Sequence, residues 1–424
     1  MDKRNETKKL VDHLFRHEAG KMIAILTRLF GMQHIDLAED VVQEAFLKAM
    51  QTWAYENIPK NPAGWLMQVA KNKAIDFIRH KHHVAQYSKE LSICLENQAD
   101  ENLEEYFHEH EIADSQLRMI FACCHPSLSP DDQLAFTLKT VSGFSAAEIA
   151  RALITSEPVI QKRLFRAKQF LRQKNIQLEI PAGSDLVSRL EIVHTVIYLI
   201  FNEGYNSIKT DELIRKDLCA EAMRLCKLLS EHPCGQQPTT FALLSLMCFH
   251  ASRFDSRLDE EEEIILLEDQ DRTKWDKQLI SLGYHFLSLS SEGTHLSIYH
   301  IESAIAAEHC LSPSFQETNW KHMLRLYDLL LAQKRTPVVL LNRAIVVAQS
   351  GEPSKAIEEV LQIPGIDKLF ESQYIYCAVL GNLYLQSGKM DDAKTMLQKA
   401  YALTHSKAEK KLIAGKIMKT HSQN

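Results

Sequence analysis

Apolar side chains recur every three or four positions over residues 7–83, with charged residues between them, the period of helices that bury one face. Over 36–50 (DLAEDVVQEAFLKAM) the stripe is Val41, Ala45, Phe46 and Ala49, and Asp36, Glu39, Asp40, Gln43 and Glu44 leave an acidic face opposite. Asn61 is placed to cap a further helix with Pro62 in its first turn. That helix buries Leu66, Val69, Ala70, Ile75 and Ile78, exposes Gln68, Lys71, Asn72, Lys73, Arg79 and Lys81, and ends in a basic run, Arg79 to His83. The helical period lapses over 84–114, where Asp100, Glu101, Glu104, Glu105, Glu109, Glu111 and Asp114 crowd together, and this reads as a tether containing some helix. It returns over 115–175, and Ile180-Pro181-Ala182-Gly183 marks another boundary, beyond which amphipathic helices continue.

Residues 130–173 carry the densest set of local signals. Pro130 opens a helix whose dipole suits Asp131 and Asp132, and Gly143 stops it. Ser145 with Glu148 three residues on makes a capping box for a short helix that turns Ile149 and Leu153 inward. Ser156 is expected to cap the next helix, with Pro158 in its first turn. In that helix Val159, Ile160, Leu164, Phe165, Ala167, Phe170 and Leu171 are the apolar positions. Gln161, Lys162, Arg163, Arg166, Lys168, Arg172 and Lys174 are the polar ones, and within the helix Glu157 alone opposes their charge. A short helix, a tight turn and a cationic second helix suit insertion into the major groove. An ordinary helical hairpin with a solvated basic face is the plainer alternative.

Upstream, Trp53, Tyr55, Asn57 and Lys60 mix aromatic, polar and cationic groups, as single-stranded DNA requires for stacking and phosphate contact. Tyr55, Asn57 and Lys60 offer polar edges for a flipped base, whereas Trp53 and Trp65 fit core packing as well as base stacking. Near the C-terminus, Leu380, Gly381, Tyr384, Gly388, Ala393, Leu397 and Ala400 fall at the spacing of a helical-hairpin repeat. Thirty-seven residues earlier, Ala344, Val347, Ala356 and Val360 take matching places, a period slightly longer than the usual ~34.

Composition narrows the class. The chain has 424 residues, too many for a single core, and Gly and Pro are scarce, which favours an all-α fold. A net charge of −6 confines any nucleic-acid surface to local patches. Nine scattered cysteines without a Cys-x-x-Cys pair, no signal peptide and no long apolar run are read as a cytoplasmic protein without a membrane span. Cys123-Cys124-His125 lacks a second ligand pair, so no metal is expected, and no nucleophile elbow or phosphate loop suggests an enzyme or a cofactor. Asn202, Glu203, Asp217, Glu221, Glu268, Asp269, Asp271, Arg272 and Asn342 admit either a shared pocket or, by preference, a polar network tying helix ends together.

The strings DLAEDVVQEAFLKA, WLMQVAKN and GFSAAEIARAL…SEPVIQKRLFRAKQFLR resemble regions two and four of the extracytoplasmic-function RNA polymerase sigma factors. Later phrases (VIYLIFNEGYNS, LLEDQDRTKWD, HIESAIAAEH) resemble the subgroup with a C-terminal tetratricopeptide-like extension. The resemblance implies region two over 1–84, an acidic linker over 85–114, a region-four helix-turn-helix over 115–176, a helical extension over 184–330 and tetratricopeptide-like repeats over 335–418. It implies that Asp40, Gln43 and Glu44 dock on the beta-prime clamp helices, with region four meeting the beta flap. Trp65, Gln68 and Asn72, with Tyr55, Asn57 and Lys60, would face the minus-ten element. Gln161, Lys162, Phe165 and Arg166 would read the minus-thirty-five element, and Arg163, Lys168 and Arg172 would contact phosphates. Core polymerase, promoter DNA and a regulatory protein at the extension are the expected partners. A polymerase-independent helix-turn-helix regulator, or a C-terminal ligand-sensing or enzymatic module, stands as the alternative.

Overall fold

The computed structural model describes residues 3–53, 58–82, 109–153, 155–205, 215–259, 264–404 and 406–420. Among them the architecture is helical, and the β structure is an isolated bridge between Leu258 and Ile264. Two compact units divide the chain: Met1–Glu203 with Glu231–Gly235, and Gly204–Ser230 with Gln236–Asn424. No helix among the described residues is long and apolar enough to cross a membrane.

In the first unit, α1 (Lys3–Phe30), α2 (Ile35–Trp53) and α3 (Pro62–His82) form a bundle. Ala19, Met22, Ile23 and Leu26 of α1 are buried, as are Val42, Ala45, Phe46 and Ala49 of α2 and Leu66 and Ala70 of α3. The Phe15 ring meets Phe46 edge-on, with centroids 5.0 Å apart. The chain then runs through α4 (Glu109–Cys123), α5 (Pro130–Thr140), α6 (Ala146–Ala152), α7 (Glu157–Gln173) and α8 (Ser184–Tyr205), which crosses into the second unit. Leu134, Phe136, Leu138, Phe144, Ile149, Ile160, Leu164 and Leu171 fill the interior beneath the helix-turn-helix. Each such side chain contributes on the order of 1.5–3 kcal/mol by leaving water.

The local signals act largely as expected. Ser129 accepts from the Asp132 amide at 3.2 Å ahead of Pro130, and Gly143 turns the chain at φ +70°. Ser145 and Glu148 form the reciprocal capping box, with bonds of 3.2 and 2.8 Å. Ser156 occupies the position before α7, but its side chain makes no capping bond, so Pro158 and the preset backbone start that helix.

The second unit contains α9 (Lys216–Glu231), α10 (Pro238–Ala251), α11 (Lys277–Ser290), α12 (Ile298–Leu311) and α13 (Trp320–Gln333). After these come α14 (Pro337–Gln349), α15 (Pro353–Leu361), α16 (Ile366–Ser372), α17 (Tyr374–Gln386), α18 (Met390–Leu403) and α19 (Lys407–Lys419). Pro337 and Tyr374 begin one pair of corresponding helices and Pro353 and Met390 the other, so the hairpin α14–α15 recurs as α17–α18. The short α16 between them accounts for the stretched period. The small residues serve close approach: a Cβ on Gly381 would stand 2.8 Å from Leu397 Cγ, and Ala344, Ala356, Ala393 and Ala400 are wholly buried.

Candidate nucleic-acid interface

Helix α7 separates two kinds of side chain. Ile160, Leu164, Ala167 and Leu171 face the core, while Gln161, Lys162, Phe165 and Arg166 stand exposed together, two adjacent pairs four residues apart that lie on one side. Phe165 is 66 % exposed, unusual for a ring of that size on a helix with an intact core face. Apolar and guanidinium groups side by side are what base edges and thymine methyls accept in the major groove.

The cations on the flanks of α7 are not free. Arg163 Nη2 lies 2.5 Å from Asp131 Oδ2 and Arg166 Nη2 lies 2.7 Å from Asp132 Oδ1, so the first turn of α5 supplies two counter-ions. Lys168 Nζ lies 3.0 Å from Asp36 Oδ1 and 2.6 Å from Glu39 Oε2, and Arg172 also pairs with Asp36. Glu157 opposes the charge within the helix, but the fold adds carboxylates from α2 and α5 that local sequence cannot display. Arg163 and Lys168, expected at phosphates, therefore sit largely covered in ion pairs, with side chains 19 % and 16 % exposed.

On α3, Asn61 Oδ1 caps the helix by accepting from the Gly64 amide at 2.9 Å. Gln68 and Asn72, one turn apart and both exposed, are joined by a 3.0 Å hydrogen bond. Trp65 is half-buried against the fully buried Trp53, with ring centroids 5.2 Å apart. Core packing thus claims Trp53 and leaves part of Trp65 accessible. Lys60 is exposed at the start of α3, and Tyr55 and Asn57 lie outside the described residues.

Asp40, Gln43 and Glu44 are exposed on α2, and Lys73 of α3 reaches Glu44 at 2.5 Å. Continuing the same side by one and two turns, Leu47 and Met50 are 57 % and 40 % exposed. Sequence reasoning missed both, because each fits a helical apolar stripe; the signal was that they lie off the Val41–Ala45–Ala49 line. A crevice of ≈ 500 Å³ between α2 and α3 brings Glu44, Leu47, Asn72 and Lys73 together, so the acidic and the basic helix meet along one edge.

Several of the remaining polar candidates serve local networks, whereas Glu268 lines an apolar groove. Cys123 and Cys124 are buried; burial pushes the Cys124 thiol up to about 12, and no metal-ligating cluster occurs among the described residues. In the second unit Asp217 pairs with Arg215 at 2.9 Å and Glu221 with Arg224 at 2.8 Å. Asp271 caps its own turn through the Thr273 amide at 2.9 Å. Arg272 donates to the carbonyls of His309 and Ser312 at the end of α12 and lies over the Trp275 ring at 4.7 Å. Gln270, buried, accepts from Arg253 at 3.2 Å and donates to the Ile265 carbonyl at 3.1 Å. Asp217, Glu221, Asp271 and Arg272 thus each serve a local ion pair or helix terminus. An open apolar groove of ≈ 400 Å³ runs along α17, bounded by Leu267, Ile345, Val379, Leu412 and Lys416.

Family models match three stretches: "Sigma-70 region 2" over residues 14–84, "Sigma-70, region 4" over 118–171, and a family of unknown function, DUF6596, over 189–291. An uncharacterized protein of Rhizobium meliloti is 33 % identical over 379 residues, 89 % of this chain and 88 % of that one. The RNA polymerase sigma factor CarQ of Myxococcus xanthus is 28 % identical over 40 % of this chain and 91 % of its own. The ECF RNA polymerase sigma-E factor of Escherichia coli is 31 % identical over 144 residues, 32 % of this chain and 72 % of its own.

Proposed function

The chain belongs to the extracytoplasmic-function RNA polymerase sigma factors, and from that premise we propose that it docks on core polymerase through α2, engages the minus-ten element through α3 and the loop before it, and reads the minus-thirty-five element with α7. The observation that carries this reading is the exposed set Gln161, Lys162, Phe165 and Arg166 on a capped helix-turn-helix whose core face is otherwise closed. Lys and Arg supply phosphate neutralisation, and Gln161 with Phe165 supplies base-edge and methyl contact. On α3, Trp65, Gln68 and Asn72 form an aromatic and amide face suited to unstacked bases, with Lys60 exposed at the start of the helix, and Tyr55 and Asn57 are assigned to the same element by resemblance. On α2, Asp40, Gln43 and Glu44 make an acidic patch with Leu47 and Met50 as its apolar centre, a composition suited to a basic helical partner such as the beta-prime clamp helices.

Residues 1–84 then form region two, 85–114 an acidic linker and 115–176 region four, which meets the beta flap. The helical extension, 184–330, and its repeats, 335–418, regulate that activity through a protein partner. The chain acts as a cytoplasmic initiation factor and not as a catalyst. Co-purification with core polymerase tests the docking. The wild-type protein is expected to be retained, and the triple variant Asp40→Ala, Gln43→Ala, Glu44→Ala to elute free. Retention of the triple variant at the wild-type level refutes the α2 assignment.

A further inference from the structure

The second unit stacks two arginines on one indole, and no carboxylate among the described residues pairs with either. Arg253 follows α10, Arg272 and Trp275 lie in the turn before α11, and His309 is in the last turn of α12. The Asp276 amide donates to the Ser252 carbonyl at 2.8 Å and ties the first two places together. Arg272 Cζ lies 4.7 Å and Arg253 Cζ 5.5 Å from the centre of the Trp275 ring. Each cation gains from the ring, but the two repel one another. The acidic residues nearest in sequence are committed elsewhere. Asp255 pairs with Lys216 at 2.7 Å, Asp271 accepts from the Thr273 amide and hydroxyl, Asp276 caps α11, and Glu308 meets His322 at 2.8 Å. The C-terminal ends of α10 and α12 bring about half an elementary negative charge each, against two full positive charges.

Donors are left over as well. Arg272 spends Nη1 on the His309 and Ser312 carbonyls, while its Nη2 is buried without a hydrogen-bond partner among the described residues. Arg253 spends Nε on Gln270 Oε1 at 3.2 Å. Trp275 is 4 % exposed, yet its Nε1, which can only donate, meets no acceptor among the described residues. His309 Nδ1 is likewise buried without a hydrogen-bond partner. Burial and the two arginines push this imidazole down to about 3, so it stays neutral and donates from Nδ1 in one tautomer. A buried polar atom without a partner is costly, and folded chains rarely keep three in one neighbourhood. An anion rich in acceptors answers the charge and the donors together.

We infer that Arg253, Arg272, Trp275 and His309 form an anion site of the helical extension, and that its ligand carries a phosphate group. Two full charges match a phosphate dianion, whose oxygens accept from both guanidiniums, the indole and the imidazole at once, more donors than a planar carboxylate serves from several directions. Arg253, Arg272 and His309 are partly exposed, so the ligand reaches them from solvent. None of the four residues lines the apolar groove along α17. The inference stands independently of the function proposed above.

The chain has four tryptophans, so nitrogen-15 labelled indoles give four N–H resonances, and Trp275→Phe identifies one of them. The full-length protein is titrated with inorganic phosphate at constant ionic strength. The Trp275 resonance is expected to shift and saturate, with a dissociation constant of about 1 mM or below. Chloride is expected to leave it in place, and acetate to bind about tenfold more weakly than phosphate. Arg253→Met and Arg272→Met are each expected to weaken phosphate about tenfold or more, with Arg253→Lys between them and the parent. Where a Met variant fails to fold, the parent titration and the Lys variant decide. A Trp275 resonance that does not move overturns the proposal, as does a shift that rises without saturating to about 50 mM, the mark of an adventitious ion only. Acetate as tight as phosphate, or parental affinity in folded arginine variants, overturns it too. Glycerol phosphate separates the sources: tighter binding than inorganic phosphate assigns the site to a phosphorylated metabolite, and binding no tighter assigns it to free phosphate.

Discussion

Leu164 and Phe165 are neighbours in sequence with opposite duties, and exchanging each for alanine separates folding from recognition. Leu164 is 6 % exposed within the helix-turn-helix core, so Leu164→Ala removes buried methyl groups and leaves a cavity, a cost of about 2–5 kcal/mol. Phe165 is 66 % exposed, so Phe165→Ala is expected to change stability by no more than about 0.5 kcal/mol. If its ring meets base edges, the same change removes about 1–3 kcal/mol of promoter binding, roughly 5- to 150-fold in affinity. Urea unfolding followed by circular dichroism reads the first quantity. A fall in midpoint of about 1 M or more is expected for Leu164→Ala and no resolvable change for Phe165→Ala. Duplex binding by the polymerase complex reads the second. The reasoning is refuted if Phe165→Ala destabilises the protein as Leu164→Ala does, or if it leaves promoter affinity unchanged.

Other predictions follow from single sites. Burial and neighbouring arginines push His250 and His309 down to about 3, while both titrate near 6.5 when unfolded. Between those values the unfolded chain binds the extra protons, so stability of the second unit rises with pH; lowering pH from 7 to 5 is expected to cost roughly 1–2 kcal/mol per histidine, and an unshifted urea midpoint would exclude it. Ser145→Ala removes half of the capping box and is expected to cost about 1 kcal/mol by thermal unfolding, with Ser145→Asp close to wild type. Leu47→Ala with Met50→Ala is expected to lower polymerase affinity several-fold with stability held within about 0.5 kcal/mol, and equal affinity would remove both from the docking face.

The parts of this molecule that sequence discloses are those fixed by neighbours in sequence. The Ser145–Glu148 box, the Gly143 stop and the Pro130 start are decided within four residues, and each appears as written. The hairpin repeat was legible because Gly381 opposite Leu397 and the buried alanines are demanded by helix–helix distance, which recurs with the helices. Ser156 shows the limit: the residue type suits a cap, yet the chain satisfies that terminus otherwise. What sequence hid was decided across long separations. The basic flank of α7 reads as open for phosphates, but Asp131, Asp132, Asp36 and Glu39 arrive from other helices to meet it. Gln270 gave no hint of its place between Arg253 and the Ile265 carbonyl, since amides carry no periodic signature.

Run-off transcription with purified core polymerase across genomic promoter fragments tests the central claim most directly. The account predicts discrete transcripts that require this protein and are lost with Gln161→Ala and Lys162→Ala together. Promoter-bound protein that yields no transcript with core polymerase, or transcripts indifferent to those two substitutions, would contradict it.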